Sequence, residues 1–236
     1  MQYLKIKSQN DKLFKKNTYP DMQSEVFQNV TAQPVERKRK FQVSENLVCT
    51  DTISAILKYG RGKTIALNFA NAMYAGGGYI LGGNAQEEAL CRASLLYYTI
   101  RTAKKYYHAN RLHLLPDYTN YMIYSRNVPV IRDNSGMLLQ SLVTCDFLTC
   151  PAVNRTFAKF FFSQKKLNLI MEHRIENIIK LCAVQKPDVL ILGAFGCGVF
   201  GNKREIVYPQ FEQAINKYLP EEITILFADP SAKKYL

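Results

Sequence analysis

Two adjacent carboxylates, Glu87 and Glu88, follow the glycine triplet Gly76-Gly77-Gly78 after a spacer of seven residues and Gln86. Glycines without side chains let a backbone close on an anion and turn its N–H groups toward it. A carboxylate pair beside a bound phosphate can give a proton to a leaving oxygen and later withdraw one from water. The chemistry expected is acid–base cleavage of a phosphorylated sugar or nucleotide. Each half alone has a plainer reading. The glycines make a loop, and Asn84-Ala85-Gln86-Glu87 fits a capping box, with Asn84 at the cap and Glu87 three residues on. Glu88 would then sit in the first helical turn, where the helix dipole lowers its pKa while burial and an anionic Glu87 raise it. Two carboxyls whose environments push their pKa values apart make one acid and one base.

A second glycine-rich stretch, LILGAFGCGVFGN, covers Leu190–Asn202, with Gly193, Gly196, Gly198 and Gly201 marking a turn directly after an apolar run. Glycines there can align consecutive N–H groups as an anion nest. The pattern resembles GxGxxG, but it does not open an amino-terminal βαβ unit with an acidic residue about twenty positions on, which argues against a dinucleotide fold. A tight turn without a ligand is the alternative for this loop by itself. Two such loops in one sheet protein favour a shared ligand, because a pyrophosphate needs cradling from two sides.

The elements that must position these loops alternate along the chain. Thr52–Tyr59 reads as a helix that Gly60 ends, and Thr64–Phe69 as a short buried strand. A helix is expected from Gln86 to about Tyr107, then extended segments at Tyr121–Ser125 and Val128–Ile131 around a turn, and a strand over Leu142–Leu148. Leu167–Val184 reads as a helix, Val189–Leu192 as a strand covered on both faces, Glu205–Tyr218 as a helix and Ile223–Phe227 as a final strand. Strands separated by helices imply a mostly parallel or mixed sheet between helical layers, with ligands beyond the carboxyl ends of the strands. Both glycine loops follow such ends. Residues 1–42 are polar and basic, ending in VERKRKF, and are expected to form an amino-terminal extension with some helix, packed on the edge of a domain spanning 43–236 or partly mobile. The Arg37-Lys38-Arg39-Lys40 run reads first as a solvated face, second as a nuclear-import or nucleic-acid signal.

The 236 residues suit one large domain, and 31 Lys+Arg against 19 Asp+Glu leave a net charge of +12. Such a surface concentrates polyanions but does not choose among nucleic acid, anionic membrane and polyphosphorylated substrate. Six cysteines without CxxC spacing point to reduced thiols and an intracellular setting, cytoplasmic or nuclear. His108, His113 and His173 make no metal-binding pattern, so neither metal nor cofactor is expected. The first residues lack the apolar run of a signal peptide, and no stretch approaches the about twenty apolar residues that span a bilayer.

The run NFANA–GGG–QEE resembles the signature of microbial-type poly(ADP-ribose) glycohydrolases, a branch of the macrodomain superfamily whose mark is GGG, a short spacer and QEE. Asn68-Phe69-Ala70-Asn71 resembles the NxxN that precedes the glycine loop in macrodomains. YSRNVPVIRD (124–133), CPAVN (150–154) and LGAFGCGVFGN (192–202) follow in the family's order, so the likeness covers about residues 40–220.

The resemblance implies a macrodomain-like three-layer α/β/α fold with a central mixed sheet. It also implies hydrolysis of the ribose–ribose bonds of poly(ADP-ribose), releasing ADP-ribose. Glu88 would be the general acid and then the base on water, and Glu87 would hold ribose hydroxyls. The glycine triplet and Gly196–Phe200, including Cys197 and Gly198, would enclose the diphosphate, with Val199 and Phe200 against the distal ribose. Asn68, Asn71, Gln86 and Asn154 complete the implied substrate contacts. Asn202-Lys203-Arg204 departs from the family pattern, where a small, acidic or proline residue is commoner after the loop, and Lys203 and Arg204 are expected to bear on how a longer polymer is held.

Two other readings remain at this point: a hydrolase removing single ADP-ribose units from protein or nucleic acid, and a module that binds ADP-ribose without cleaving it. Glu87-Glu88 argues against the pure binder, which needs no positioned acid. A nucleic-acid-binding protein rests on charge alone and implies only weak, non-specific binding. The expected partners are poly(ADP-ribose), ADP-ribose and ADP-ribosylated proteins, with no membrane.

Overall fold

A computed structural model describes residues 2–19, 21–36 and 39–232. The chain opens with α1 (Gln2–Lys16), β1 (Gln23–Phe27), β2 (Leu47–Val48), α2 (Thr52–Tyr59) and β3 (Thr64–Phe69). A helical stretch follows: α3 (Gln86–Ala93), α4 (Leu96–Ile100) and α5 (Lys104–Leu112). Then come β4 (Met122–Arg132), β5 (Leu138–Cys150), α6 (Arg155–Ala158), α7 (Gln164–Gln185), β6 (Val189–Gly193), α8 (Arg204–Tyr218) and β7 (Thr224–Ala228).

The strands form one mixed sheet in the order β1-β4-β5-β3-β6-β7-β2. β3 lies at its centre, parallel to β5 on one side and β6 on the other, while β4 runs antiparallel to both β5 and β1. Alternation along the buried strands sends side chains to two cores. Ile65, Leu67, Leu190 and Leu192 pack toward α7 and α8, and Ala66, Val189 and Ile191 toward α2 to α5. Helices therefore cover both faces, the three-layer arrangement expected of a macrodomain-like protein. Because β3 and β6 are parallel neighbours, the loops at their carboxyl ends meet. That adjacency builds the cleft.

Local chemistry sets most boundaries. Asp51 caps α2 by accepting from Ser54 N at 3.0 Å, and Ser163 caps α7 by accepting from Lys166 N at 3.3 Å. The single helix expected from Gln86 to Tyr107 is instead three. Ser94 adopts extended backbone and bridges to Val130 of β4, and Leu95 N–H donates to Pro129 O at 2.9 Å. Ser94 Oγ also bonds Leu90 O at 2.7 Å, taking up an acceptor at the end of α3. The two extended segments expected at 121–131 are one strand, and their anticipated turn is a bulge between Ser125 and Val128 where Asn127 is left-handed at φ 50°. β5 starts four residues before the expected Leu142.

The capping box is also corrected. α3 starts after Ala85 with no side-chain cap, and Asn84 Oδ1 accepts from Arg92 at 2.7 Å instead.

The described residues among the amino-terminal 42 pack against the rest of the fold. α1 buries Ile6 and Asn10, and Asn10 Nδ2 donates to Arg92 O at 2.9 Å while its Oδ1 accepts from Arg132 at 3.1 Å. β1 adds an edge strand to β4, and the segment after it crosses the opposite face, where Phe41 N donates to Asn216 Oδ1 at 2.7 Å. Arg37 and Lys38 of the basic run lie outside the described residues. Arg39 is not a free cation on a solvated face, since it donates to Pro220 O and Ile223 O at 3.0 and 3.1 Å. All six cysteines are unpaired thiols. No helix among the described residues is long and apolar enough to cross a membrane.

Candidate active site

Gln86 fastens the start of α3 to the end of β3. Its Oε1 accepts from Phe69 N at 2.9 Å, and its Nε2 donates to Leu67 O and Thr52 Oγ1 at 2.9 and 3.1 Å. The next two residues are thereby set behind the strand end as a buried carboxyl pair, Glu87 at 3% exposure and Glu88 at 8%.

The two carboxyls have different partners. Glu87 Oε2 accepts from Asn71 N at 2.7 Å, and Oε1 from Asn68 Nδ2 at 3.3 Å. Burial pushes the Glu87 carboxyl up to about 8, and the charge of Glu88 adds to the rise, against the opposing N–H donors of Asn71, Asn68 and Gly76. Glu88 Oε1 accepts from Gly78 N at 2.7 Å, whereas its Oε2 is buried without a partner among the described residues. Buried oxygens are almost always hydrogen-bonded, so an orphan on a carboxyl marks a position for a reacting group or a proton.

Asn68 and Asn71 support this pair from the protein side. Asn68 is fully buried and also donates to Thr149 Oγ1 at 3.1 Å. The Asn71 side chain accepts from Met73 N and Tyr74 N at 2.8 and 2.9 Å, an Asx turn that aims its own N–H at Glu87. Gly77, at φ +54°, has space that only glycine leaves open: a Cβ there would stand 2.6 Å from Glu88 Oε1.

The second loop closes on itself through Asn202. Its Nδ2 donates to Val153 O and Gly196 O at 2.7 and 3.1 Å, and its Oδ1 accepts from Arg155 at 3.3 Å. Gly196 sits at φ +70°, where a Cβ would meet Ala152 Cβ at 2.5 Å. Gly198 differs, because a Cβ there meets nothing within 4 Å. Between the loops lies a cleft of about 220 Å³, lined by Phe69, Ala85, Gln86, Ala152, Ala194, Gly196, Gly198, Val199 and Phe200. It brings Gln86 together with Gly196, Gly198, Val199 and Phe200. Glu87, Glu88, Gly76 to Gly78, Asn68, Asn71, Cys197 and Asn154 lie outside its lining. Burial pushes the Cys197 thiol up to about 12, so it is no nucleophile at neutral pH. Asn154 Oδ1 is a further buried oxygen without a partner among the described residues.

The sequence profile of the microbial-type PARG catalytic domain, PARG being poly(ADP-ribose) glycohydrolase, matches residues 2–133, more than half of the chain. The chain belongs to this family. Poly(ADP-ribose) glycohydrolase from Thermomonospora curvata matches with a TM-score of 0.82 at 24% identity, over 97% of this chain and 93% of that one. At that identity the likeness speaks for the fold. The Deinococcus radiodurans PARG, solved in complex with ADP-ribose, is 31% identical over 79% of this chain and 78% of that one, with a TM-score of 0.70. No curated protein sequence matches the chain.

Two residues that brace the loops of the site went unassigned in the sequence. Arg92 donates to Gly83 O and Asn84 Oδ1, and Gly83 N–H donates to Gly78 O at 2.9 Å, so the arginine braces the loop that surrounds Glu88. Asn202 is the other. It ends the second loop, and the signal was a side-chain amide closing a glycine run, a common way to hold an irregular turn. Arg204, expected to bear on the polymer, is instead committed to Asp229 at 2.7 Å and to Ser231.

Proposed function

We propose that this chain, a poly(ADP-ribose) glycohydrolase by family and fold, cleaves the ribose–ribose bond with Glu88 as general acid and then base. The observation that carries the assignment is the Glu88 carboxyl itself, one oxygen held by Gly78 N–H and the other buried without a partner. In the first step Glu88 gives its proton to the leaving ribose oxygen. The glycosidic C–O bond breaks with its electron pair on that oxygen, and an oxocarbenium-like centre forms at the anomeric carbon. The Glu88 carboxylate then takes a proton from water as the water oxygen bonds to that carbon, which restores the acid. Glu87, kept protonated at neutral pH by burial, is suited to a ribose hydroxyl. The Gly196–Phe200 wall, with its closely approached backbone, is suited to the diphosphate.

Poly(ADP-ribose) chains on modified proteins are the proposed targets. Nucleic acid is a weak, salt-sensitive competitor for a surface of net charge +12. Six unpaired thiols favour an intracellular setting. α1 acts as a brace for the helix that carries Glu88, because Asn10 holds the carbonyl of Arg92. Incubation with radiolabelled poly(ADP-ribose) and with mono-ADP-ribosylated protein, followed by separation of products, tests this reading. Free ADP-ribose should accumulate from the polymer. Release only from the singly modified protein would transfer the assignment to mono-ADP-ribosyl hydrolysis.

A further inference from the structure

Three segments distant in sequence are tied together at the Phe200 end of the cleft. Thr156 Oγ1 donates to Val199 O at 3.0 Å and its N–H to Phe200 O at 3.3 Å. Asn154 N–H donates to Pro116 O at 3.0 Å, which brings in the loop carrying Tyr118, whose ring centre lies 6.0 Å from that of Phe200. Immediately beyond these ties stand Phe157, Phe160 and Phe161, exposed at 59, 74 and 62%, beside Val199 at 86%. A single exposed apolar side chain is ordinary, but three phenylalanines within five residues on a cleft rim are not. Lys159, Lys165 and Lys166 are exposed in the same stretch, and Lys159 Nζ lies 5.2 Å from the Phe160 ring centre.

We propose that this rim is an acceptor-side subsite, taking the adenine and diphosphate of the ADP-ribose unit on the far side of the scissile bond. The proposal rests on the glycohydrolase reading above. Asn68 bonds both Glu87 and Thr149 of β5, and β5 leads directly into the segment that carries the rim, so the ADP-ribose unit released when a ribose–ribose bond is cut departs on the rim's side of the carboxyl pair. Aromatic faces with interleaved cations suit that unit, since rings stack on a base while lysines meet phosphate. The rim is continuous with the cleft wall through Thr156, so one chain can occupy both. A purely apolar protein partner would gain nothing from the interleaved lysines. The subsite gives this enzyme a preference for polymer over single units.

The test compares binding of an ADP-ribose dimer with that of ADP-ribose, by calorimetry, on the full chain carrying Glu88→Gln to stop turnover. The dimer should bind about tenfold more tightly than the monomer, as one stacked base gives. Adding Phe157→Ala, Phe160→Ala and Phe161→Ala together should remove that advantage, with monomer affinity reporting an intact cleft. Phe160→Ser alone, at the most exposed of the three rings, repeats the comparison if the triple variant folds poorly. Equal affinity for dimer and monomer, or an advantage that survives both variants, overturns the subsite. Turnover of polymer by the unmodified chain is scored separately. Its absence with the dimer advantage intact would count against the glycohydrolase reading and leave the subsite standing.

Discussion

The backbone N–H of Gly78 donates to Glu88 Oε1 at 2.7 Å, so the glycine loop and the proposed acid are one structural unit. The loop fixes the carboxyl, and the carboxyl fills the space that a side chain on the loop would take. A change in either is therefore felt at the other.

Glu88→Gln keeps the size of the side chain and an oxygen for the Gly78 N–H, but removes the transferable proton. Loss of a positioned general acid costs a factor of about 10²–10⁴, and the same group also serves as base here. Hydrolysis should nearly vanish while calorimetric ADP-ribose binding persists. A variant retaining more than about a tenth of wild-type turnover would remove Glu88 from the mechanism.

Gly77 and Gly198 separate the two parts played by glycine. A Cβ on Gly77 would lie 2.6 Å from Glu88 Oε1 and 3.2 Å from Glu87 Oε2, so Gly77→Ala should displace the acid pair and depress turnover more than ligand affinity. A Cβ on Gly198 meets no atom of the described residues within 4 Å, so Gly198→Val should fold normally and act only through the ligand. ADP-ribose affinity should fall at Gly198→Val while adenosine, which lacks phosphate, is affected far less. Equal losses for both ligands would mean that Gly198 does not face the diphosphate.

What the sequence made legible follows from where the information is local. The bounds expected for α2 and β3 agree with the structure, since a cap at Asp51, a stop at Gly60 and an unbroken apolar run are written in neighbouring residues. The Gln86–Tyr107 stretch contains neither proline nor glycine, and its first break comes from tertiary pairing of Ser94 and Leu95 with β4. No helical periodicity announces such a contact. α1 was legible only as some helix within residues 1–42, without bounds, because it is polar along most of its length and buries only Ile6 and Asn10. At the candidate site the glycines and glutamates were visible as residue types. That Glu87 would be held by Asn71 N–H rather than capping its own helix required the fold.

The elevated Glu87 carboxyl carries a pH dependence of stability. Its ordinary value of 4.5 applies to the unfolded chain, and burial raises it to about 8 in the folded one. Between those values the unfolded chain releases the proton that the folded chain keeps, so rising pH favours unfolding. The associated stability is fully present below 4.5 and is lost as pH climbs through about 8. Glu87→Gln has no proton to lose there. Thermal melts of both proteins should show Tm shifting in favour of the variant as pH rises across this window. A Tm difference that does not change with pH would show that Glu87 ionises normally.

Arg92 reaches the reaction only through the loop it braces. Its guanidinium holds Gly83 O and Asn84 Oδ1, and its Cζ lies 4.0 Å from the Tyr3 ring centre on α1. Gly83 in turn packs against Glu88, since a Cβ there would sit 3.1 Å from Glu88 Cγ. Lysine at this position offers one ammonium where a planar fork meets two acceptors and an aromatic face. Arg92→Lys should therefore lower kcat with little change in KM, and Arg92→Ala should lower it further, by roughly ten- to a hundredfold, as slight misplacement of a catalytic group does. ADP-ribose affinity should hold in both, because the cleft lining does not include Arg92. If kcat is unchanged and only Tm falls, Arg92 stabilises the fold without positioning the acid.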